Sequence, residues 1–217
     1  IPGENLEQIL ATHFRFTEAE IINLLKSLLP VVKFIHEKQA IHRDIKPANI
    51  IWYENQYYLV DFGASKRVSE TVLLKTGTTI GSAFYAAPEQ TVGKAVFVSD
   101  IYSLGVTCAH LLTGIDPINL INTGLGQLCW RDFLQTSESE KIQVSEGFGL
   151  ILDKMIEHGT YRRYQSVDQV VIALEEIDRR AIARQRLTNI GKIGKQRRIA
   201  KWGKRAVIVA GASAVVV

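Results

Sequence analysis

The strongest constraint on this chain is the spacing between a polar run at residues 42–49, HRDIKPAN, and a DFG tripeptide that begins twelve residues after its final Asn. Asp44 can orient a hydroxyl group and accept its proton, and Lys46 supplies a positive charge two residues away. Asn49 and Asp61 carry the amide and carboxylate oxygens that Mg²⁺ prefers. The spacing therefore suits phosphoryl transfer from a magnesium-bound nucleotide.

Three further motifs follow in order: APE at 87–89, DIYSLG at 100–105 and RYQS at 163–166. Together the motifs resemble those of the eukaryotic-like serine/threonine protein kinases, and in particular their bacterial branch, over about residues 1 to 178. The resemblance starts at the hinge that leads into the C-lobe. Nothing in the sequence matches the Gly-rich phosphate loop, the third-strand lysine or the helix glutamate that precede this hinge. We therefore interpret the chain as a partial kinase domain without its N-lobe.

The resemblance implies a mainly α fold, the helical C-lobe of a protein kinase with one small β-hairpin. It also implies ATP and Mg²⁺ as cofactors and protein Ser/Thr hydroxyls as acceptors, because Lys two residues after the catalytic Asp distinguishes serine/threonine from tyrosine kinases. The implied roles are catalytic for Asp44 and Lys46, nucleotide-binding for Asn49, Asp61 and Ile51, and metal-binding for Asn49 and Asp61.

Residues 61–89 resemble the activation segment of the family, in which phosphorylation controls activity. Arg43 precedes the catalytic Asp44, and its guanidinium is expected to bind a phosphate bidentately. Thr78 matches the usual primary phosphorylation position, whereas the neighbouring threonines are interpreted as ordinary loop residues. Most kinases of this family have a Thr next to the substrate residue at the position of Ser82. Because serine also carries a hydroxyl group, the departure is expected to keep its hydrogen bonding.

Other members of the motifs are predicted to be structural. Asp100 is expected to accept hydrogen bonds from the backbone of the catalytic loop. Glu89 and Arg163 are expected to form a buried, bidentate ion pair that ties the end of the activation segment to the last helices. His42 is expected to brace the loop and is given no catalytic role.

Local patterns predict the elements around the motifs. Thr17 and Glu20 have capping-box spacing and open a long helix to about residue 37, which Pro30 is expected to kink or open. Residues 50–53 and 57–60 are predicted to be strands joined by a turn at ENQ, which places Asn49 and Asp61 at the two ends of one hairpin.

The second half of the chain is predicted to be helical. A helix buried on nearly all faces begins near Val98 and ends at Gly114, and Pro117 is expected to prevent its continuation. Apolar clusters at 128–134, 148–156 and 167–177 predict three further amphipathic helices. Cys108 and Cys129 have no metal-ligand or redox spacing, so both are interpreted as small buried apolar residues.

The charge is divided along the chain. Residues 1–178 contain 15 Lys/Arg and 22 Asp/Glu, whereas residues 179–217 contain 11 Lys/Arg and no acid. The last 12 residues, from Ala206, are uncharged. We interpret 179–205 as a basic juxtamembrane linker and 206–217 as the start of a transmembrane helix that anchors a cytoplasmic kinase body. With Trp202 as its only aromatic residue, the basic stretch favours a membrane surface over nucleic acid.

Two functions remain compatible with the sequence. The first is a serine/threonine kinase that transfers the γ-phosphoryl group of ATP to protein hydroxyls. The second is a truncated, inactive kinase-like module that binds peptides or another kinase chain. The length of 217 residues and the 47% hydrophobic content fit one core of ordinary size in either case.

Overall fold

The computed structural model describes residues 2–62, 66–67, 80–122, 126–134 and 142–183. The chain divides into two units, Ile1–Leu174 and Glu175–Val217. The described residues are mainly helical, with three small antiparallel sheets. Within them, no helix combines the length and the apolar composition that a bilayer span requires.

The helices of the first unit are α1 Leu6–His13, α2 Glu18–Glu37, α3 Pro88–Thr91, α4 Phe97–Thr113, α5 Pro117–Leu120 and α6 Glu146–Met155. The strands are β1 Glu4–Asn5, β2 Ala40–Ile41, β3 Ile50–Tyr53, β4 Gln56–Leu59, β5 Lys66–Arg67, β6 Ile121–Asn122 and β7 Gln127–Leu128. Residues 167–174 are also helical and contribute Val167, Val170 and Leu174 to the core. In the second unit, residues 175–183 are helical, with exposed i,i+4 ion pairs from Arg179 to Glu175 and from Arg180 to Glu176.

Helix α2 begins with the predicted capping box. The Thr17 backbone N–H donates to Glu20 Oε2 at 2.7 Å, and the Glu20 N–H donates to Thr17 Oγ1 at 3.3 Å. The helix continues through Pro30 to Glu37, so the proline does not end it. Seven apolar side chains of its inner face are buried: Ile21, Leu24, Leu25, Leu28, Leu29, Val32 and Ile35. Burial of this stripe, rather than helix propensity, keeps the helix intact across the proline.

Helix α4 is the centre of the first unit. Every residue except Phe97 and Tyr102 is buried. The hydroxyls of Ser103, Thr107 and Thr113 each donate to the carbonyl four residues earlier in the helix, as in the Thr107 Oγ1 bond to Ser103 O at 2.8 Å. The predicted end is confirmed: Gly114 has φ 69°, and a Cβ there would collide with the Phe14 carbonyl oxygen. Helix α4 does not continue past Gly114, and Pro117 is the first residue of a separate short helix, α5, a position where its missing N–H has no helical partner.

The predicted hairpin is present with a shorter turn. Strand β3 pairs with β4 from Ile50 opposite Leu59 to Tyr53 opposite Gln56, and β1 adds to the other edge of β3. The turn consists of Glu54 and Asn55, with φ values of 48° and 63°. Two consecutive residues with positive φ give the tight turn that matches strand twist, so Gln56 belongs to the strand and β4 starts one residue earlier than predicted.

The helix predicted over 128–134 was wrong. This segment contains the end of β7 and a single 3₁₀ turn at Trp130–Phe133. Trp130 Nε1 and Arg131 Nε each donate to the Asp153 carboxylate of α6 at 2.8 Å, so contacts with another element fix its conformation. Helices at the other two predicted clusters are present. Cys108 is fully buried as expected, whereas Cys129 is half-buried.

Candidate active site

The backbone of the HRDIKPAN loop is held by a buried carboxylate on α4. Asp100 is fully buried and accepts from the His42 N–H through Oδ2 and from the Arg43 N–H through Oδ1, both at 2.9 Å. His36, on α2, places its Nε2 2.9 Å from Asp100 Oδ2. The expected hydrogen bonding of Asp100 is therefore present, and His36 adds a third contact.

Two residues that the sequence analysis missed hold the same loop. Gln90 Nε2 donates to the Arg43 carbonyl at 2.6 Å, and Thr107 Oγ1 donates to the Ile45 carbonyl at 3.3 Å. Thr107 follows Asp100 by two helical turns on the same face of α4, and this spacing was the available signal. Gln90 carried no signal beyond its position next to Glu89.

Asp44, Lys46 and Asn49 form one hydrogen-bonded cluster on the loop. Lys46 Nζ lies 2.8 Å from Asp44 Oδ2, and Asn49 Nδ2 donates to the same oxygen and to the Asp44 carbonyl, each at 2.8 Å. The Asp44 and Lys46 side chains are about one-fifth exposed, so both are accessible to a bound molecule. Because both donors converge on Oδ2, Oδ1 is the oxygen that can accept from a substrate hydroxyl.

Asn49 and Asp61 lie at the open end of the β3–β4 hairpin. The Val60 N–H donates to the Asn49 carbonyl at 2.9 Å, which brings the residue before Asp61 alongside Asn49. The Asn49 amide nitrogen faces Asp44, so its Oδ1 remains for a hard cation, and Asp61 is exposed with φ 62°. This donor set fits Mg²⁺. Among the described residues, no three His, Cys, Asp or Glu side chains converge as a metal cluster.

Ile51 is placed on the central strand of this sheet. It pairs with Tyr58 on one side and Asn5 on the other, and its side chain is half-buried. Ile51 therefore lies on the strand that begins directly after Asn49.

His42 is buried, and its ring meets Phe62 edge to face at a centroid distance of 5.0 Å. Burial lowers the pKa of His42, although nearby Asp100 acts to raise it. Within the described part of the chain, its Nε2 has no hydrogen-bond partner. A neutral, packed ring agrees with the structural reading of His42.

Arg43 has φ 71°, an uncommon conformation for a residue with a side chain. Hydrogen bonds to Asp100 and from Gln90 hold its backbone on both sides. Its Nε is buried and has no partner among the described residues. Backbone strain held in place by surrounding contacts is frequent at functional sites.

The segment after Asp61 is described only in part. Lys66 and Arg67 form β5, which pairs with β2 just before His42 and was not predicted. Thr78 lies outside the described residues. Ser82 belongs to a 3₁₀ helix at Ile80–Tyr85, where only its backbone is described.

Glu89 and Arg163 meet as expected. Arg163 Nη1 lies 2.6 Å from Glu89 Oε1, and Nη2 lies 2.9 Å from Oε2. Arg163 also donates to the Glu157 and His158 carbonyls, and Ser99 Oγ donates to Glu89 at 2.6 Å. Burial acts to raise the pKa of Glu89, but the bonds from Arg163 and Ser99 outweigh it, so the pKa is lowered.

A family profile described as the protein kinase domain matches residues 1–173. The chain belongs to the protein kinase family. The kinase domain thus includes the Asp44 cluster, the hairpin with Asp61 and the Glu89–Arg163 pair.

Among curated proteins, this kinase chain is similar to bacterial serine/threonine kinases. It is 37% identical to serine/threonine-protein kinase B of Synechocystis, over 81% of the chain and 31% of that protein. It is 31% identical to PknA of Nostoc, again over 81% of the chain and 31% of the relative. It is 33% identical to PrkC of Bacillus subtilis, over 55% of the chain and 19% of that protein. The chain spans about one third of the length of the first two relatives.

Proposed function

We propose that residues 1–178 form the C-lobe of a serine/threonine protein kinase that transfers the γ-phosphoryl group of ATP to a protein hydroxyl. The observation that carries this proposal is the cluster in which Lys46 and Asn49 fix one oxygen of Asp44. The names of the relatives support serine/threonine acceptors.

Asp44 is the group that acts on the acceptor. Its Oδ1 accepts a hydrogen bond from the substrate hydroxyl, orients the hydroxyl oxygen towards the γ-phosphorus and takes its proton. The Lys46 ammonium lies against Asp44 and places positive charge beside the transferring phosphoryl group. Positioning and charge provide most of the catalysis in this reaction class.

Asn49 and Asp61 would hold Mg²⁺ through one amide and one carboxylate oxygen, and Ile51 would contact the nucleotide from the adjoining strand. When bound, Mg²⁺ neutralises charge on the phosphates. The hairpin keeps the two ligands in register, because β3 and β4 pair without a bulge up to Ile50 and Leu59.

A switch is proposed for the same site. A phosphate on Thr78 would pair with the Arg43 guanidinium, whose Nε has no partner within the described residues. Ser82 would lie beside the substrate residue. The proposed assignment beyond the kinase lobe is a basic juxtamembrane linker at 179–205 and the start of a membrane anchor at 206–217, with the kinase body in the cytoplasm.

The proposal is tested by incubating the intact protein with labelled ATP, Mg²⁺ and a Ser/Thr-containing acceptor protein, followed by phosphoamino acid analysis. Phosphoserine or phosphothreonine that disappears on chelation of Mg²⁺ is the expected result. Phosphotyrosine would contradict the acceptor class. Peptide binding with no transfer would favour a non-catalytic module.

A further inference from the structure

Tyr85 and His110 form a buried hydrogen bond that the catalytic roles above do not use. The Tyr85 hydroxyl lies 2.5 Å from His110 Nδ1, and the ring centroids are 5.9 Å apart. Tyr85 is 8% exposed and His110 is 9% exposed. One partner belongs to the turn Ile80–Tyr85 and the other to the central helix α4.

The location of Tyr85 connects two parts of the candidate site. Ser82 lies in the same 3₁₀ turn, and α3 begins three residues after Tyr85 with Glu89 and Gln90. Gln90 holds the Arg43 carbonyl, and Glu89 is fixed by Arg163. The chain that follows the turn Ile80–Tyr85 is thus anchored through α3. Among the side chains that the structure describes in this turn, the Tyr85 hydroxyl makes a hydrogen bond to α4.

Both rings are neutral near pH 7. Burial lowers the pKa of His110, although Asp116 acts to raise it, and burial raises the pKa of Tyr85, to which Asp116 and Glu7 also contribute. Asp116 is the N-cap of α5, and Glu7 lies in the first turn of α1. A single hydrogen bond therefore joins two neutral side chains, and either the Tyr85 hydroxyl or the imidazole N–H is its donor.

We propose that His110 is a positioning residue: through Tyr85 it holds residues 80–85 against α4 in the arrangement that receives the hydroxyl-bearing protein substrate. This inference rests on the proposed kinase function. We expect loss of the contact to raise the KM for the protein acceptor and to leave the KM for ATP unchanged. The nucleotide side of the proposed site is held by the hairpin and not by Tyr85.

Acidity should weaken this contact. The pKa of His110 is lowered while residues 80–85 pack on α4, so the ring binds more protons when these residues separate from α4 and water reaches it. The packed arrangement is therefore fully favoured above the ordinary histidine pKa of about 6.5 and loses stability as the pH falls below it.

Four variants of the intact protein separate positioning from general damage. His110→Ala and Tyr85→Phe each remove one partner. His110→Asn keeps an acceptor oxygen near the position of Nδ1 but does not titrate. His158→Asn changes an exposed histidine outside the pair and serves as the matched control.

At pH 7.5, His110→Ala and Tyr85→Phe should raise the acceptor-peptide KM about tenfold, the scale of losing one buried hydrogen-bond partner, with an unchanged KM for ATP. The double variant should show no further rise, because both changes remove the same bond. His110→Asn should restore the peptide KM. It should also remove the rise in peptide KM that the parent and His158→Asn show below about pH 6.5.

Amide hydrogen exchange over residues 80–85, corrected for intrinsic rates at each pH, gives a second readout that needs no activity. Exchange should quicken in His110→Ala at pH 7.5 and in the parent at pH 5.5, but not in His110→Asn. Unchanged exchange in all variants would overturn the proposal, as would equal changes in both KM values. If exchange responds as expected but the parent transfers no phosphate, the positioning contact stands and the kinase proposal fails.

Discussion

At the scale of single residues, Asp44 is fixed more tightly than its place on a loop suggests. One of its carboxylate oxygens receives both the Lys46 ammonium and the Asn49 amide, and its backbone N–H faces His42 Nδ1 at 3.4 Å. Neither the sequence motif nor the spacing reveals that the two donors share one oxygen. That convergence leaves Oδ1 for the substrate hydroxyl of the proposed reaction.

Replacing Asp44 with Asn should therefore remove proton acceptance while the side chain stays in place. We expect kcat to fall by about 10²–10⁴-fold, the usual contribution of a general base, with nucleotide affinity nearly unchanged. Steady-state phosphotransfer and nucleotide titration measure the two quantities. Asp168→Asn, which alters an exposed carboxylate paired with Lys33, is the matched control and should leave kcat unchanged. Loss of nucleotide binding in Asp44→Asn would contradict the assigned role.

The buried carboxylate of Asp100 should stabilise the fold through its hydrogen bonds to the loop backbone. It accepts two backbone N–H groups, one on each oxygen, and an Asn at this position has only one acceptor oxygen. Asp100→Asn should leave the His42 or Arg43 amide without a partner and lower the free energy of unfolding by about 1–3 kcal/mol. Chemical denaturation measures this change. Asp132→Asn, which alters an exposed carboxylate, is the control. Equal stability of the two variants would show that the two hydrogen bonds to Asp100 do not stabilise the fold.

Helix ends that depend on neighbouring residues could be predicted from the sequence, whereas segments whose conformation depends on distant contacts could not. The α2 capping box and the Gly114 terminator involve neighbours in the chain, and both are present. The turn 130–133 is fixed by Asp153, more than twenty residues away, and was predicted as a helix. In the site, the motif residues were predicted. His36, Gln90 and Thr107 were not, because they act through tertiary hydrogen bonds that local sequence patterns do not determine.

The Glu89–Arg163 pair joins α3 to the loop after α6, and it yields the third prediction. The Arg163 guanidinium is fully buried, so Arg163→Ala leaves the Glu89 carboxylate without its main partner. We expect a loss of about 3–5 kcal/mol in unfolding free energy, seen as a marked fall in Tm. Arg162→Ala removes an exposed neighbour that stacks on Tyr161 and should change stability far less. An unchanged Tm for Arg163→Ala would show that the pair contributes nothing to stability.

At the scale of the whole molecule, the uneven charge suggests two environments. Residues 1–178 have a net charge of −7 and residues 179–217 a net charge of +11, although the total is only +4. An acidic body is repelled by an anionic surface, whereas a basic stretch followed by an uncharged run is attracted to it. The kinase family assignment covers the acidic part and says nothing about the basic one.

We therefore expect the chain to bind vesicles that contain phosphatidylserine through residues 179–217, and to be released by added salt. Each Lys or Arg near an anionic leaflet contributes roughly 1 kcal/mol, so replacing Lys201, Lys204 and Arg205 with Gln should weaken binding roughly a hundredfold. Replacing three exposed lysines of the body, Lys38, Lys94 and Lys154, removes the same charge and should not weaken it. Vesicle co-sedimentation at low and high salt measures both effects. Equal losses in the two triple variants would mean that net charge, rather than the basic stretch, drives association, and the membrane assignment of 179–205 would then fail.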